Sequence, residues 1–192
     1  SITGEPLVFF EVACPLDSWI PFCEWFVIPY YFWFAYLVGM LLYGLLFDRQ
    51  SFRDCMYFIM LTYSATIVIY LLWPNMQALR PAAFDRENVF TWIVQKLYNF
   101  DTNTNVCPSI HVLGSVAVYL TGLRAPRLQH WGWKVFFHTS NLLICMSTVF
   151  LKQHSILDVF AALLLCAIAY PFAFYILGRK QRASERIGAE TD

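Results

Sequence analysis

The chain has 192 residues, of which 59% are hydrophobic, 19% aromatic and only 14% charged. Soluble domains average about 25% charged residues, so most of this chain must face something other than water. The formal net charge is zero, which excludes the surplus of Lys and Arg on which nucleic-acid binding depends. We therefore expect one membrane-embedded domain over residues 1–178, followed by a polar tail over 179–192, and no nucleic-acid partner.

Long apolar blocks favour an all-α polytopic membrane helix bundle over a β-barrel. A helix needs about 20 apolar residues to cross the ~30 Å hydrocarbon layer of a bilayer. Four blocks have that length, and a fifth is shorter, about 22 Å at 1.5 Å per residue. The sequence predicts five transmembrane helices, over residues 26–47, 55–73, 109–123, 133–150 and 156–177.

The connection between the second and third spans has its own pattern. Phe90, Ile93, Val94 and Leu97 recur at helical spacing, which predicts an amphipathic helix lying in the outer membrane interface. Aromatic residues also gather near the first span, and we interpret them as lipid-interface anchors: Trp19, Trp25, Tyr30, Tyr31 and Trp33.

The distribution of basic residues predicts the orientation, since cytoplasmic connections carry more Lys and Arg. With a cytoplasmic C-terminus, nine basic residues lie inside and four outside: Arg49, Arg53, Arg124, Arg127, Lys134, Arg179, Lys180, Arg182 and Arg186 against Arg80, Arg86, Lys96 and Lys152. Five spans then leave the N-terminus outside. We expect a further helix upstream of Ser1, which gives six spans in all.

Six cysteines form no C-x-x-C pair. Three of them lie in apolar stretches, where Cys acts as a small hydrophobic residue. In an extracytoplasmic segment Cys14 and Cys23 can form a disulfide.

Three short segments beside the predicted spans carry ionisable groups on the extracytoplasmic side: 80–81, 107–111 and 147–158. Titratable groups at membrane depth are costly and indicate a functional site. We expect the three segments to converge on that face.

Two histidines and a carboxylate supply the reactive groups. His154 and Asp158 are four residues apart and share a helix face. A carboxylate bonded to one imidazole nitrogen leaves the other free to attack, and His111 can protonate a leaving oxygen. These three side chains can also chelate a metal, but the nearby Arg80 and Lys152 would repel a cation. We therefore expect no metal and no cofactor.

Arg80, Lys152 and Ser109 are the candidate phosphate-binding residues, because two are cationic and the third opens a helix whose free amides favour an anion. Each has a structural alternative. Arg80 and Lys152 can be snorkelling interface residues, and Ser109 can be an N-cap. Asp158 likewise fits a capping box with Ser155.

The three segments resemble the motifs of the type 2 phosphatidic acid phosphatase superfamily of membrane lipid phosphatases. Those motifs are Lys-x6-Arg-Pro, Pro-Ser-Gly-His and Ser-Arg-x5-His-x3-Asp. Arg80-Pro81 matches the end of the first, residues 108–111 match the second, and residues 147–158 match the third. The resemblance implies a six-helix membrane bundle and a phosphohistidine intermediate on His154.

Residue by residue, the resemblance implies that Asp158 orients the nucleophile and that His111 is the general acid. It implies phosphate binding by Arg80 and Ser109. Trp73 and Thr148 stand where the family has Lys and Arg, and Ile110 stands where it has Gly. These departures resemble the branch containing sphingomyelin and inositol phosphorylceramide synthases.

We expect an enzyme, a metal-independent lipid phosphatase in the cell membrane, that hydrolyses a phosphomonoester or diphosphate carried on a lipid. Phosphatidate, phosphatidylglycerophosphate and polyprenyl diphosphate all fit. The alternative is a transferase that passes a phospho-headgroup to a lipid alcohol. A non-catalytic membrane protein is the second alternative, although the ordered set of His111, His154 and Asp158 speaks against it.

Overall fold

The computed structural model describes residues 8–177, and it is all-helical in class, as predicted. The predicted tail over 179–192 lies outside the described residues. The six α-helices are α1 (Val27–Phe47), α2 (Arg49–Leu72), α3 (Val89–Phe100), α4 (Ile110–Arg124), α5 (Trp131–Phe150) and α6 (Ile156–Pro171). A π-helical turn, Phe172–Leu177, continues α6, and short 3-10 turns span Pro15–Ser18, Glu24–Phe26 and Pro126–Leu128.

Three helical segments are long and apolar enough to cross a membrane: Glu24–Phe47, Arg49–Leu72 and Ile156–Tyr175. The helix α4 is apolar but shorter. In α5 the apolar residues are interrupted by Lys134, His138, Ser140 and Asn141, and this helix is not among the three. By length and composition, the fold is a helical bundle with three candidate membrane spans.

The helix α4 lies at the centre of the bundle and contacts α1, α2, α5 and α6. Most of its residues are buried, because small side chains let its neighbours approach closely. A Cβ on Gly122 would lie 2.6 Å from the ring of Phe137. Between α4 and α5, the Ser115 hydroxyl donates to Asn141 Oδ1 at 2.8 Å.

The amphipathic helix predicted around residues 90–97 is α3, and its buried side chains are Thr91, Val94 and Leu97. Asn88 caps it by accepting hydrogen bonds from the amides of Phe90 and Thr91. The N-terminal segment adds a feature that the sequence did not predict. Strand β1 (Phe10–Glu11) pairs in parallel with β2 (Asn75–Met76), so this segment is held beside the loop that follows α2.

A tight turn joins α1 to α2. Asp48 caps α2 by accepting from the amide and the hydroxyl of Ser51. One turn earlier, a Cβ on Gly44 would lie 2.7 Å from the backbone nitrogen of Phe52. The two helices therefore approach at a distance that only glycine allows.

We expect Gly44→Ala to destabilise the bundle by about 1–3 kcal/mol, because the new methyl group forces the backbones of α1 and α2 apart. Thermal unfolding in detergent measures the effect. Gly39→Ala on the same helix is the matched control, since nothing lies within 4 Å of the place its methyl group would take. The control should be neutral or stabilising by about 0.5–1 kcal/mol. Equal melting temperatures for the two variants would contradict the close approach.

Candidate functional site

The loops that follow α2, α3 and α5 meet at one end of the bundle, where α1, α4 and α6 begin. His154 lies two residues before α6, next to its N-cap Ser155, and Asp158 lies in the first turn of the helix. The Nδ1 of His154 lies 3.1 Å from Asp158 Oδ2, and both side chains are buried. Because a carboxylate accepts hydrogen bonds, this contact assigns a proton to Nδ1, and a neutral ring in that tautomer has its free lone pair on Nε2. The pairing expected from the four-residue spacing is present.

Asp158 also forms the capping box that the sequence left open. Its Oδ2 accepts from the Ser155 amide at 3.0 Å, and the Ser155 hydroxyl accepts from the amide of Leu157. The two roles are therefore compatible. One carboxylate both closes the first turn of α6 and orients His154.

The ring of His111, in the first turn of α4, lies 5.9 Å from the ring of His154. It packs against Tyr30 and Trp33, with ring centroids 4.4 and 4.6 Å away. Both aromatic residues are buried, so their interpretation as lipid-interface anchors is wrong. Trp19, by contrast, is 80% exposed. An aromatic wall on α1 thus fixes the plane of the second histidine.

Several buried polar atoms in the three segments have no hydrogen-bond partner. They are Ser109 Oγ, His111 Nδ1, Asp158 Oδ1 and Arg80 Nε. Ser109 is the N-cap of α4, yet its hydroxyl makes no capping bond, and its amide instead donates to the Asp158 carbonyl at 3.3 Å. A buried polar group without a partner costs about 1–3 kcal/mol. A phosphate oxygen or an ordered water that reaches such a group can pair with it.

Arg80 packs beside the site on the side of α3. Its guanidinium donates to the backbone carbonyls of Tyr98 and Asp101 at 3.1 and 2.7 Å, and to Gln153 Oε1. It also lies over the Tyr98 ring at 4.6 Å. Burial lowers the pKa of Arg80, while the Asp101 carboxylate acts in the opposite direction. Arg80 thus caps the C-terminal end of α3, and its Nε remains as the donor without a partner.

The structure does not bring Lys152 to the two histidines. Its backbone adopts a φ of 54°, and its ammonium donates to the carbonyls of Asp17 and Ile20 at 2.7 and 2.5 Å. These carbonyls belong to the N-terminal segment, and the pKa of Lys152 is lowered by burial there. In this structure the side chain is a tether for that segment, in place of the phosphate ligand expected from the sequence.

A cavity of about 40 Å³ opens beside the histidines. Its walls combine the two rings with polar and apolar side chains: Tyr70, Asp101, Thr102, Thr104, Asn105, Val106, Ile110, His111, Gln153 and His154. Asp101 and Gln153 are also the residues whose oxygens bind the Arg80 guanidinium. The lining of the cavity therefore connects the histidines to a cationic side chain.

Two buried amide side chains, which the sequence analysis missed, connect the three segments. Asn75 donates to the Cys107 carbonyl and accepts from the amides of Val106 and Cys107. Gln77 donates to the Lys152 carbonyl at 3.0 Å. The two polar residues are two positions apart and directly follow an apolar span. This spacing is typical of a short strand, and it could have identified Asn75 and Gln77 from the sequence.

Asp17 is a further residue that sequence reasoning did not select. It is only 2% exposed, and its carboxylate accepts from the Ile156 amide at 2.9 Å and from the Ser155 hydroxyl at 2.7 Å. A carboxylate at a helix N-terminus is stabilised by the free amides there. Asp17 therefore anchors the N-terminal segment to the helix that carries Asp158.

The positions that depart from the family motifs have structural roles. Trp73 packs near Phe10, with ring centroids 6.3 Å apart. The Thr148 carbonyl accepts from the amides of Gln153 and His154, both at 3.0 Å. Thr148 thus shapes the turn that presents His154 through its backbone, and neither position supplies a cation.

Cysteine chemistry does not contribute a nucleophile at the site. Burial, together with the nearby Asp158, raises the pKa of Cys107 to about 12, so its thiol stays protonated. Cys14 and Cys23 are both free thiols, not the disulfide considered from the sequence. Among residues 8–177, no group of three or more His, Cys, Asp or Glu side chains is arranged to hold a metal ion.

Comparison with known proteins adds no assignment. No protein-family model matches the chain, and neither a curated protein nor a solved structure does.

We expect Asn75→Ala to destabilise the protein by about 2–4 kcal/mol, because it leaves the amides of Val106 and Cys107 buried without an acceptor. Thermal unfolding in detergent gives the change. Asn99→Ala is the control, since Asn99 is exposed on α3, and it should stay within about 0.5 kcal/mol of the wild type. A wild-type melting temperature for Asn75→Ala would show that the amide does not hold the loops together.

Proposed function

We propose that this protein is a membrane lipid phosphatase that works through a phosphohistidine, as the motif resemblance to the type 2 phosphatidic acid phosphatase superfamily implies. The observation that carries the proposal is the buried His154–Asp158 pair, 3.1 Å apart, with a second imidazole 5.9 Å away. A transporter or a scaffold protein does not require this arrangement of two histidines and a carboxylate. The arrangement supplies an oriented nucleophile and a separate proton donor.

In the first step, His154 Nε2 attacks the phosphorus of the lipid phosphate. The N–P bond forms as the bond from phosphorus to the leaving oxygen breaks. His111 donates a proton to that oxygen, and the lipid alcohol departs. Asp158 holds the Nδ1 proton and stabilises the positive charge that develops on the His154 ring.

In the second step, water attacks the phosphohistidine. The P–N bond breaks, the water gives up a proton to His111, and inorganic phosphate leaves. Both histidines return to their starting protonation states. The negative charge of the bound phosphate favours the protonated imidazole of His111 in the first step.

Two donors without partners support phosphate binding next to the cavity: Ser109 precedes the lining residues Ile110 and His111, and Arg80 is bonded to the lining residues Asp101 and Gln153. The Ser109 hydroxyl and Arg80 Nε are buried and unpaired, and a phosphate oxygen accepts from either. Such charge-assisted bonds are about twice as strong as neutral ones. Lys152 is left out of this site, because its ammonium is bonded to carbonyls of the N-terminal segment.

We propose five spans for residues 8–177, with the site on the extracytoplasmic side and the C-terminus in the cytoplasm. The three apolar helical segments support membrane embedding. The basic residues beside the opposite helix ends, such as Arg49, Arg53 and Arg127, support the orientation. The bilayer thus provides both the solvent for the helices and the lipid substrate.

Headgroup transfer, as in the sphingomyelin synthase branch, is the second candidate. It differs only in the acceptor, a lipid alcohol in place of water. The observation in its favour is the polar part of the cavity lining, which includes Asp101, Thr102, Thr104 and Asn105. In a transferase, those side chains would hold the hydroxyl group of the lipid alcohol that accepts the phospho-headgroup.

Purified protein given phosphatidate in mixed micelles should release phosphate in the presence of EDTA. His154→Ala should lower this rate by at least about a thousandfold, because the attacking imidazole is lost. His138→Ala is the matched control, since His138 lies on α5 beside Tyr119, away from the site. Retained activity in His154→Ala contradicts the assigned nucleophile, and a new phospholipid without free phosphate indicates transfer.

His111→Ala should slow turnover about a hundredfold to ten-thousandfold, the usual contribution of a general acid or base. With an activated substrate whose leaving group needs no proton, His111→Ala should still form the phosphohistidine, while hydrolysis of the phosphohistidine should be slower than in the wild type. Acid-labile, base-stable phosphate should then accumulate on the protein. Equal labelling of His111→Ala and wild type would contradict the proposed role of His111.

A further inference from the structure

The cavity beside the histidines has two chemically different edges. The apolar edge consists of Tyr70 on α2, Val106 in the loop before α4 and Ile110 at the start of α4. The polar edge consists of residues in the loop after α3: Asp101, Thr102, Thr104 and Asn105. His111 and His154 line the same cavity as both edges. A lipid phosphate bound there would meet hydrocarbon on one side and hydrogen-bonding groups on the other.

Asp101 is held in place on the polar edge. Its Oδ2 accepts from the Tyr30 hydroxyl at 2.8 Å and from Gln153 Nε2 at 3.5 Å. Tyr30 is the same buried ring that packs against His111. The carboxylate is therefore positioned from two sides, by α1 and by the loop before α6, and it does not belong to the three motifs that the sequence analysis identified.

A carboxylate beside a phosphate has an electrostatic cost, since like charges repel strongly at short range in a partly buried site. The cost is offset when a hydrogen-bond donor of the substrate lies between the two anions. Arg80 already binds the backbone oxygen of Asp101, which disfavours a cationic group there. The threonine hydroxyls and the Asn105 amide both donate and accept, as hydroxyl recognition requires.

We propose that Asp101 is a specificity-determining residue that accepts a hydrogen bond from a hydroxyl of the group attached to the phosphate. The substrate class is then a phospholipid whose headgroup bears a hydroxyl near the phosphate, such as a glycerol or sugar headgroup. This inference rests on the proposed phosphohistidine chemistry at His154. It adds a recognition element that the reaction itself does not need.

The dimensions place this group at the rim. A cavity of about 40 Å³ admits one or two water-sized groups, which suits a phosphate oxygen near the histidines. Thr102 and Asn105 are exposed at the opening. The hydroxylated group therefore lies at the rim, against the loop after α3, while the acyl chains follow the apolar edge.

The test compares two synthetic lipids that differ in one hydroxyl. One is dioleoyl phosphatidylglycerophosphate, and the other has propane-1,3-diol in place of its headgroup glycerol. The wild type should turn over the hydroxylated lipid with a kcat/KM about tenfold to a hundredfold higher, the usual effect of one charge-assisted hydrogen bond. Phosphate release is measured for both lipids in the same micelles.

Asp101→Asn and Asp101→Ala should reduce this preference to less than about threefold, chiefly by lowering kcat/KM for the hydroxylated lipid. Asp85→Asn is the matched control, a carboxylate in the connection before α3 and outside the cavity lining, and it should keep the preference. Melting temperatures within a few degrees of the wild type show that the variants fold.

Three outcomes overturn the inference. If the wild type turns over both lipids equally well, the proposed contact between Asp101 and the hydroxyl is wrong, while the phosphatase assignment is unaffected. A uniform loss on both lipids in the Asp101 variants assigns the residue a structural role. No turnover of either lipid, nor of phosphatidate, by the wild type refutes the proposed function together with this inference.

Discussion

A single buried carboxylate holds the candidate site together. Asp158 is fully buried, and an ion in such a position is stable only when it is paired and hydrogen-bonded. Here His154 and the Ser155 amide bind its side chain, while the amide of Ser109 binds its backbone carbonyl. Asp158 thus joins the start of α6 to the start of α4, and with them the two histidines.

Around this carboxylate, the loops are stabilised by neutral amides. Loop backbone buried at the end of an apolar bundle must find partners within the protein, because water and lipid do not supply them. Asn75 and Gln77 provide these partners for the loops before α4 and before α6. Asp17 does the same for the first turn of α6 from the N-terminal segment. Each loop at the site is therefore hydrogen-bonded to another.

Sequence reasoning located the elements whose signals are local. The apolar blocks predicted the helices, the four-residue spacing predicted the His154–Asp158 pair, and the S-x-x-D pattern predicted the cap of α6. Contacts between distant segments carried no local signal. The tether of Lys152 to the carbonyl of Asp17 spans 135 residues. In the same way, Tyr30 and Trp33 match an interface belt in composition, and only the packing of α1 against α4 turns them toward His111.

The shortage of cations at the site follows from the same contacts. Lys152 binds the carbonyls of the N-terminal segment, and Arg80 uses two of its nitrogens on the end of α3. Among the described residues of the three segments, the buried donors without a partner include Arg80 Nε and the Ser109 hydroxyl, and on the proposed function these would bind the phosphate. Such donors act strongly only where water is excluded, because hydrogen bonds strengthen as the local dielectric constant falls. The N-terminal segment is bonded through Asp17 to the start of α6, so the proposed phosphate site would rest on contacts from residues far from the motifs.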